Sequence, residues 1–153
     1  MKKILILFIA SLAISASCFA AGATQRLGAE EKAADAVVEA LTGNSVTYET
    51  ISKSFTANLK QRLTAQAFAN MKKQVKDKIG TVKNINFVTF TRQYNLKNGY
   101  NNIDDLVYFG SAGKDKFARF VIHFAEENGA LKVAGFDVSP INAAPQPESK
   151  KKK

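Results

Sequence analysis

The sequence predicts an α+β domain in which helices from the amino-terminal half fill a bent antiparallel sheet made by the carboxy-terminal half. Three observations carry this expectation. Apolar residues recur at three- and four-residue steps as far as Ile79, and after Gly80 they recur at every second residue. The first period is that of a buried helix face and the second that of a strand. Asn128-Gly129 stands between two runs rich in Phe, Val and Ile, and that dipeptide accepts the positive φ angles of a tight hairpin turn. With 153 residues, 46% of them hydrophobic, the chain supports one domain with a real core and is short for two.

The first helix is expected over about Gln25 to Leu41. Ala33, Ala34, Val37, Val38 and Leu41 share one face, Glu30 and Glu31 sit early where the helix dipole favours acids, and Gly43-Asn44 ends it. A second helix begins at Ser45 or Thr47 and buries Tyr48, Ile51, Phe55, Leu59 and Leu63. Thr64 caps a third, whose inner residues are Phe68, Met71, Val75 and Ile79 and which Gly80 stops.

Strand one is expected over Val82 to Tyr94. Its apolar set changes sides between Phe87 and Val88, the mark of a bulge or bend. A turn around Gly99 leads to strand two, Ile103 to Ser111, apolar on both faces: Val107 and Phe109 on one, Leu106 and Tyr108 on the other. In the closing hairpin, pairing Glu127 with Ala130 sets Phe124 against Val133, Ile122 against Gly135 and Phe120 against Asp137. Phe120, Ile122 and Phe124 then form the core face, while Arg119, Val121, His123 and Phe136 share the other. A one-residue slip would exchange the faces.

Residues 1–20 have Lys2 and Lys3, an apolar run from Ile4 to Ile14, and small residues up to Ala20. This is the pattern of a cleaved secretory signal, and the run is too short to span a bilayer. The expected address is the periplasm or the medium. Lipidation of Cys18, the only cysteine, is a second reading, disfavoured because the polar Ser15 stands where such signals carry an apolar residue. The expected division is signal peptide 1–20, folded domain 21–139, and a Pro/Lys-rich disordered tail 140–153.

Net charge is +9, yet the body without signal and tail holds 16 basic and 12 acidic residues. The high pI is thus largely a tail effect. Lys150 to Lys153 could touch an anionic surface, but neither they nor Lys72, Lys73, Lys76 and Lys78 have interleaved Arg or aromatic residues, so nucleic acid is not an expected partner. One histidine and one cysteine provide no Cys/His metal site. No Gly-rich phosphate loop and no Gly-x-Ser-x-Gly elbow is present. His123 and Asp137 are the weak catalytic candidates, Asp137 because the assumed pairing turns it toward the core, with Asp104 and Asp105 behind them.

Phe55, the Leu63-Thr64 step before Phe68, Gly80-Thr81-Val82-Lys83, Phe117 to Phe124 and the closing Gly129-Ala130-Leu131-Lys132-Val133-Ala134-Gly135-Phe136 together resemble secreted bacterial domains of unknown function in the nuclear transport factor 2-like superfamily. The resemblance spans about Ala33 to Val138. It implies three helices packed against a curved sheet of about four strands, a pocket between helices and sheet, and dimers through the outer sheet face. On that basis Tyr48, Phe55, Phe68, Phe120 and Phe124 are expected to line the pocket, and Val107, Phe109, Val121, His123 and Phe136 an interface. Catalytic relatives place Asp, His or Tyr residues in the pocket, and no such set is recognisable here. The expected role is a non-enzymatic exported module, without a cofactor, that binds a protein partner or a small apolar ligand. Two alternatives stand beside it: a pocket enzyme of the isomerase or dehydratase type using Asp137 or His123 with Tyr48, Tyr94 or Tyr108, and a cationic protein binding anionic surfaces.

Overall fold

The computed structural model describes residues 26–97 and 99–142; the expected signal peptide, Cys18 and the terminal lysines lie outside them. Helix α1 covers residues 26–42, and its predicted stripe of Ala34, Val37, Val38 and Leu41 is buried. Among the described residues there are four helices rather than three. The predicted second helix is divided into α2 (Tyr48–Ile51), a 3-10 turn (Ser52–Ser54) and α3 (Ala57–Arg62).

Phe55 causes the division. Its backbone is extended, φ −81 and ψ 149, and forms a single parallel bridge with Val133. The Thr56 N–H donates to the Val133 carbonyl at 2.9 Å. The Thr56 hydroxyl accepts from Leu59 N–H at 3.2 Å and so caps α3. The predicted stripe is nonetheless buried at Ile51, Phe55, Leu59 and Leu63, because an extended residue between two short helices keeps all four directed inward. Helix α4 (Ala65–Lys78) starts at Thr64, whose hydroxyl accepts from Ala67 N–H at 3.2 Å, and ends before Gly80 at φ 99.

Strands β1 (Lys83–Asn95), β2 (Gly99–Gly113), β3 (Lys116–Glu127) and β4 (Ala130–Asn142) form one antiparallel sheet in the order β1-β2-β3-β4. Val88 is the predicted irregularity: Phe87 pairs with Tyr108 and Thr89 with Val107, leaving Val88 extra. Its effect differs from the expected change of sides. Phe90 pairs with Leu106, so the extra residue puts Phe87 and Phe90 on the same, inner face. At Gly110 a side chain is excluded, since a Cβ would lie 2.4 Å from Val82 and 2.8 Å from Ile85.

The β3-β4 hairpin begins as predicted, with Glu127 opposite Ala130 and Phe124 opposite Val133, and then shifts by one residue at Ala134. Phe136 therefore faces Ile122, Val138 faces Phe120, and Asp137 faces Val121. Two expectations are corrected by this bulge: Phe136 belongs to the inner face and Asp137 to the outer one. Phe120, Ile122 and Phe124 are buried as expected. The strand also continues past the expected boundary at 139, pairing Pro140 with Ala118 and Ile141 with Phe117. Proline is admitted because β4 is an edge strand.

Candidate interaction surface

The inner face of the sheet is covered unevenly. Among the described residues, six large hydrophobic side chains are exposed, and five of them fall between positions 87 and 96: Phe87 (38%), Val88 (55%), Phe90 (41%), Tyr94 (68%) and Leu96, which stands free in the β1-β2 turn. The sixth, Phe117, lies on β3. Strand β1 is also an edge, hydrogen-bonded on one side only. A concentrated apolar patch on an edge strand is the usual form of a surface that receives a partner.

A partly buried polar network lies beside this strip on the same face. Arg92 on β1 donates through Nε and Nη2 to the two oxygens of Asp104 on β2, at 3.0 and 2.9 Å. Tyr100 donates to the same carboxylate at 2.9 Å, and Arg26 of α1 donates to the Tyr100 oxygen at 2.7 Å. Both guanidinium groups stack on the Tyr100 ring, each 4.8 Å from its centroid, and Arg92 also lies 5.9 Å from the Phe90 ring. Asp104 is fully buried. Such a carboxylate persists only where donors satisfy it, and two-point Arg pairing supplies both energy and direction. The network ties Phe90 and Tyr100 to the end of α1.

Burial together with the Asp104 charge pushes the Tyr100 phenol up to about 12 and also raises the Glu30 carboxyl. The hydrogen bond to Asp104 holds Arg92 still more firmly protonated. Glu30 accepts from Arg26 Nε at 3.3 Å through one oxygen. Its other oxygen, like the Tyr108 hydroxyl, has no partner among the described residues. Asp104 is committed to Arg92 and Tyr100, so the network acts as a brace.

The five rings expected to line a pocket lie in the interior. Phe55, Phe68, Phe120 and Phe124 are buried. Tyr48 packs on Phe55 and Phe68, with centroids 6.2 and 5.8 Å apart, and donates to the Leu63 carbonyl. Phe136 completes the cluster, 6.1 Å from Phe55 and 6.3 Å from Phe68. Open space occurs instead in surface grooves, two of them beside the β4 margin. A groove of about 280 Å³ runs between α4 and β4, lined by Met71, Val75, Ile79, Phe136, Val138 and Pro140 among others. It is neighboured by one of about 320 Å³ that includes Leu59, Arg62, His123 and Asp137.

His123 and Asp137 do come together, on the outer face. Nδ1 of His123 lies 2.8 Å from Asp105 and Nε2 lies 3.0 Å from Asp137. Partial burial opposes the imidazolium charge, but hydrogen bonds to Asp137 and Asp105 raise its pKa above the ordinary value. With both ring nitrogens within hydrogen-bonding distance of carboxylates, the surroundings of His123 favour its protonated form. Val107 pairs with Val121 on the same face, where Phe109 also lies; the two valines are buried by their neighbours but stand outside the core cluster. No group of three or more His, Cys, Asp or Glu side chains among the described residues is placed to hold a metal.

Arg92, Tyr100, Arg26 and Glu30 escaped the reading by sequence. One signal was available: Asp104 shares its parity with the inward Leu106 and Tyr108, so a buried acid needing a cation on a neighbouring strand was implied. Searches against family models, curated proteins and solved structures return no match to this chain.

Proposed function

We propose that this chain is an exported, non-enzymatic binding or assembly module, and that its partner surface is the inner face of β1. The export part rests on residues 1–20 and their signal-like pattern. The binding part rests on one observation, the gathering of Phe87, Val88, Phe90 and Tyr94 on an edge strand, with Leu96 in the turn that follows it. The adjoining brace gives that surface a fixed shape, which lowers the entropy lost on association.

The alternatives draw less support. An enzyme using His123 or Asp137 with Tyr108 needs these groups in one cavity, whereas Tyr108 lies on the inner face and the His-Asp pair on the outer. An anion surface on α4 loses Lys72, whose ammonium is engaged by the Gly43 carbonyl and by Asn44 at 3.1 Å. A dimer through the outer face would have Phe109 and Phe117 as its larger apolar groups, since Phe136 faces inward and Val107 and Val121 are already covered.

The test is a photo-crosslinking amino acid placed at Phe90, with Arg119 on the outer face as control, in the chain exported from its own signal. Crosslinked product at position 90 and not at 119 is the expected result. Absence of any product at 87, 90 and 94 overturns the reading.

A further inference from the structure

We infer that the partner received by β1 is a second copy of this chain, joined edge to edge through antiparallel pairing of the two β1 strands. This rests on the binding reading above and names its occupant.

The two margins of the sheet are treated differently. The β4 margin is obstructed at both ends: Phe55 and Thr56 occupy it at Val133, and Pro140 removes a backbone donor further along. Strand β1 has neither device. Between Asn84 and Thr91 it carries no charged residue and no proline, and it is rich in Phe, Val, Ile and Thr, the composition that favours strand pairing. No charge in that stretch repels a copy of itself, and its irregularities are those of register, at Val88 and between Lys83 and Asn86.

The sequence is also self-complementary in one alignment. If Phe87 of one copy stands opposite Phe90 of the other, the two-fold axis falls between Val88 and Thr89, so both bulges coincide at the centre. Four inward rings then meet as two cross-strand pairs, and Asn86 faces Thr91 on the other side. Arg92 falls opposite Ile85, so no like charges oppose each other, and its own charge is matched internally by Asp104. Alignment two residues away would set Lys83 against Arg92 and is disfavoured.

The area agrees. At the exposures of Phe87, Phe90, Tyr94 and Val88, the side chains leave about 400 Å² per copy in water. If all of it were covered, two copies with the backbone ladder added would reach about 1,000 Å², the lower bound for a specific interface.

The experiment is sedimentation equilibrium of residues 21–153, alone and as two variants, Phe87→Lys with Phe90→Lys and Phe87→Glu with Phe90→Glu. The wild-type chain is expected to dimerise. Each variant should dissociate at least about thirtyfold more readily, since two anchoring rings are lost from each copy. An equimolar mixture of the two variants should regenerate a dimer, which also shows that both are folded. A wild-type monomer at every concentration, a dimer unmoved by either variant, or a mixture that stays monomeric each overturns self-pairing. Independently of variant folding, a benzophenone side chain at position 87 should yield a product of twice the chain mass that maps to β1 of the second copy. A product with a different chain overturns self-pairing and leaves the binding reading standing. No product at 87, nor at 90 or 94, removes both.

Discussion

Replacing Arg92 by Ala is the sharpest probe of the brace. The guanidinium satisfies both oxygens of Asp104, a residue with no exposed surface, while its own side chain is 24% exposed. The change deletes two charge-assisted hydrogen bonds and leaves a buried carboxylate with Tyr100 as its remaining donor. Breaking a buried pair from one side costs about 3–5 kcal/mol, and the partial exposure of Arg92 argues for the lower end, about 3 kcal/mol. For a domain of this length, each kcal/mol corresponds to about 3–6 °C in melting temperature, so Arg92→Ala should melt about 10–15 °C below wild type by circular dichroism. Arg92→Met combined with Asp104→Leu removes both charges and fills the space. It should recover most of that loss, because an apolar pair no longer carries the desolvation cost. An Arg92→Ala variant that melts within about 3 °C of wild type, or a double variant no better than the single, would refute the assignment of Asp104 as a buried charge held by Arg92.

Stability should also depend on pH through His123, whose pKa is raised in the folded chain. Its contribution is fully present below the unfolded value of about 6.5 and is lost as pH rises through the folded value. His123→Gln should flatten the melting temperature between about pH 5 and 8, and a slope unchanged by that substitution would remove the Asp105-His123-Asp137 bridge as its source. Thr56→Ala and Thr64→Ala should each cost about 1 kcal/mol in denaturant unfolding, since each deletes a cap hydrogen bond; a Thr64→Ala chain as stable as wild type would contradict the cap. Gly110→Ala should destabilise by about 1–3 kcal/mol through overpacking against Val82 and Ile85, and a neutral effect on the melting curve would show that those side chains yield freely.

Periodicity made most elements legible. Thr64 with Phe68, Val75 and Ile79 marked α4 to within a residue at each end, and Asn128-Gly129 fixed the start of the hairpin. Single-residue events were the part that period counting could not see. Phe55 continued a helical stripe in the sequence, yet its backbone is drawn out of the helix by a bond to Val133, 78 positions later, a contact with no local signature. Thr56 was a usable sign, being a cap residue ahead of a short helix. Ala134 is similar: an extra small residue in an apolar strand does not disturb alternation visibly, but it decides whether Phe136 or Asp137 faces the core. The surface on β1 was hidden for a related reason. Phe87 and Phe90 have opposite parity, so strict alternation assigned them to different faces, and only the bulge at Val88 unites them. The polar brace required knowing that residues 26, 92, 100 and 104 converge, which pairing across the sheet and packing of α1 determine.

The unequal sheet margins also bear on stoichiometry. A molecule with two open margins could add copies indefinitely and grow into a ribbon, whereas one whose far margin is stoppered by Phe55, Thr56 and Pro140 has a single valence. Under the proposed pairing, joining through β1 would consume that valence, and polymerisation would terminate at the first step.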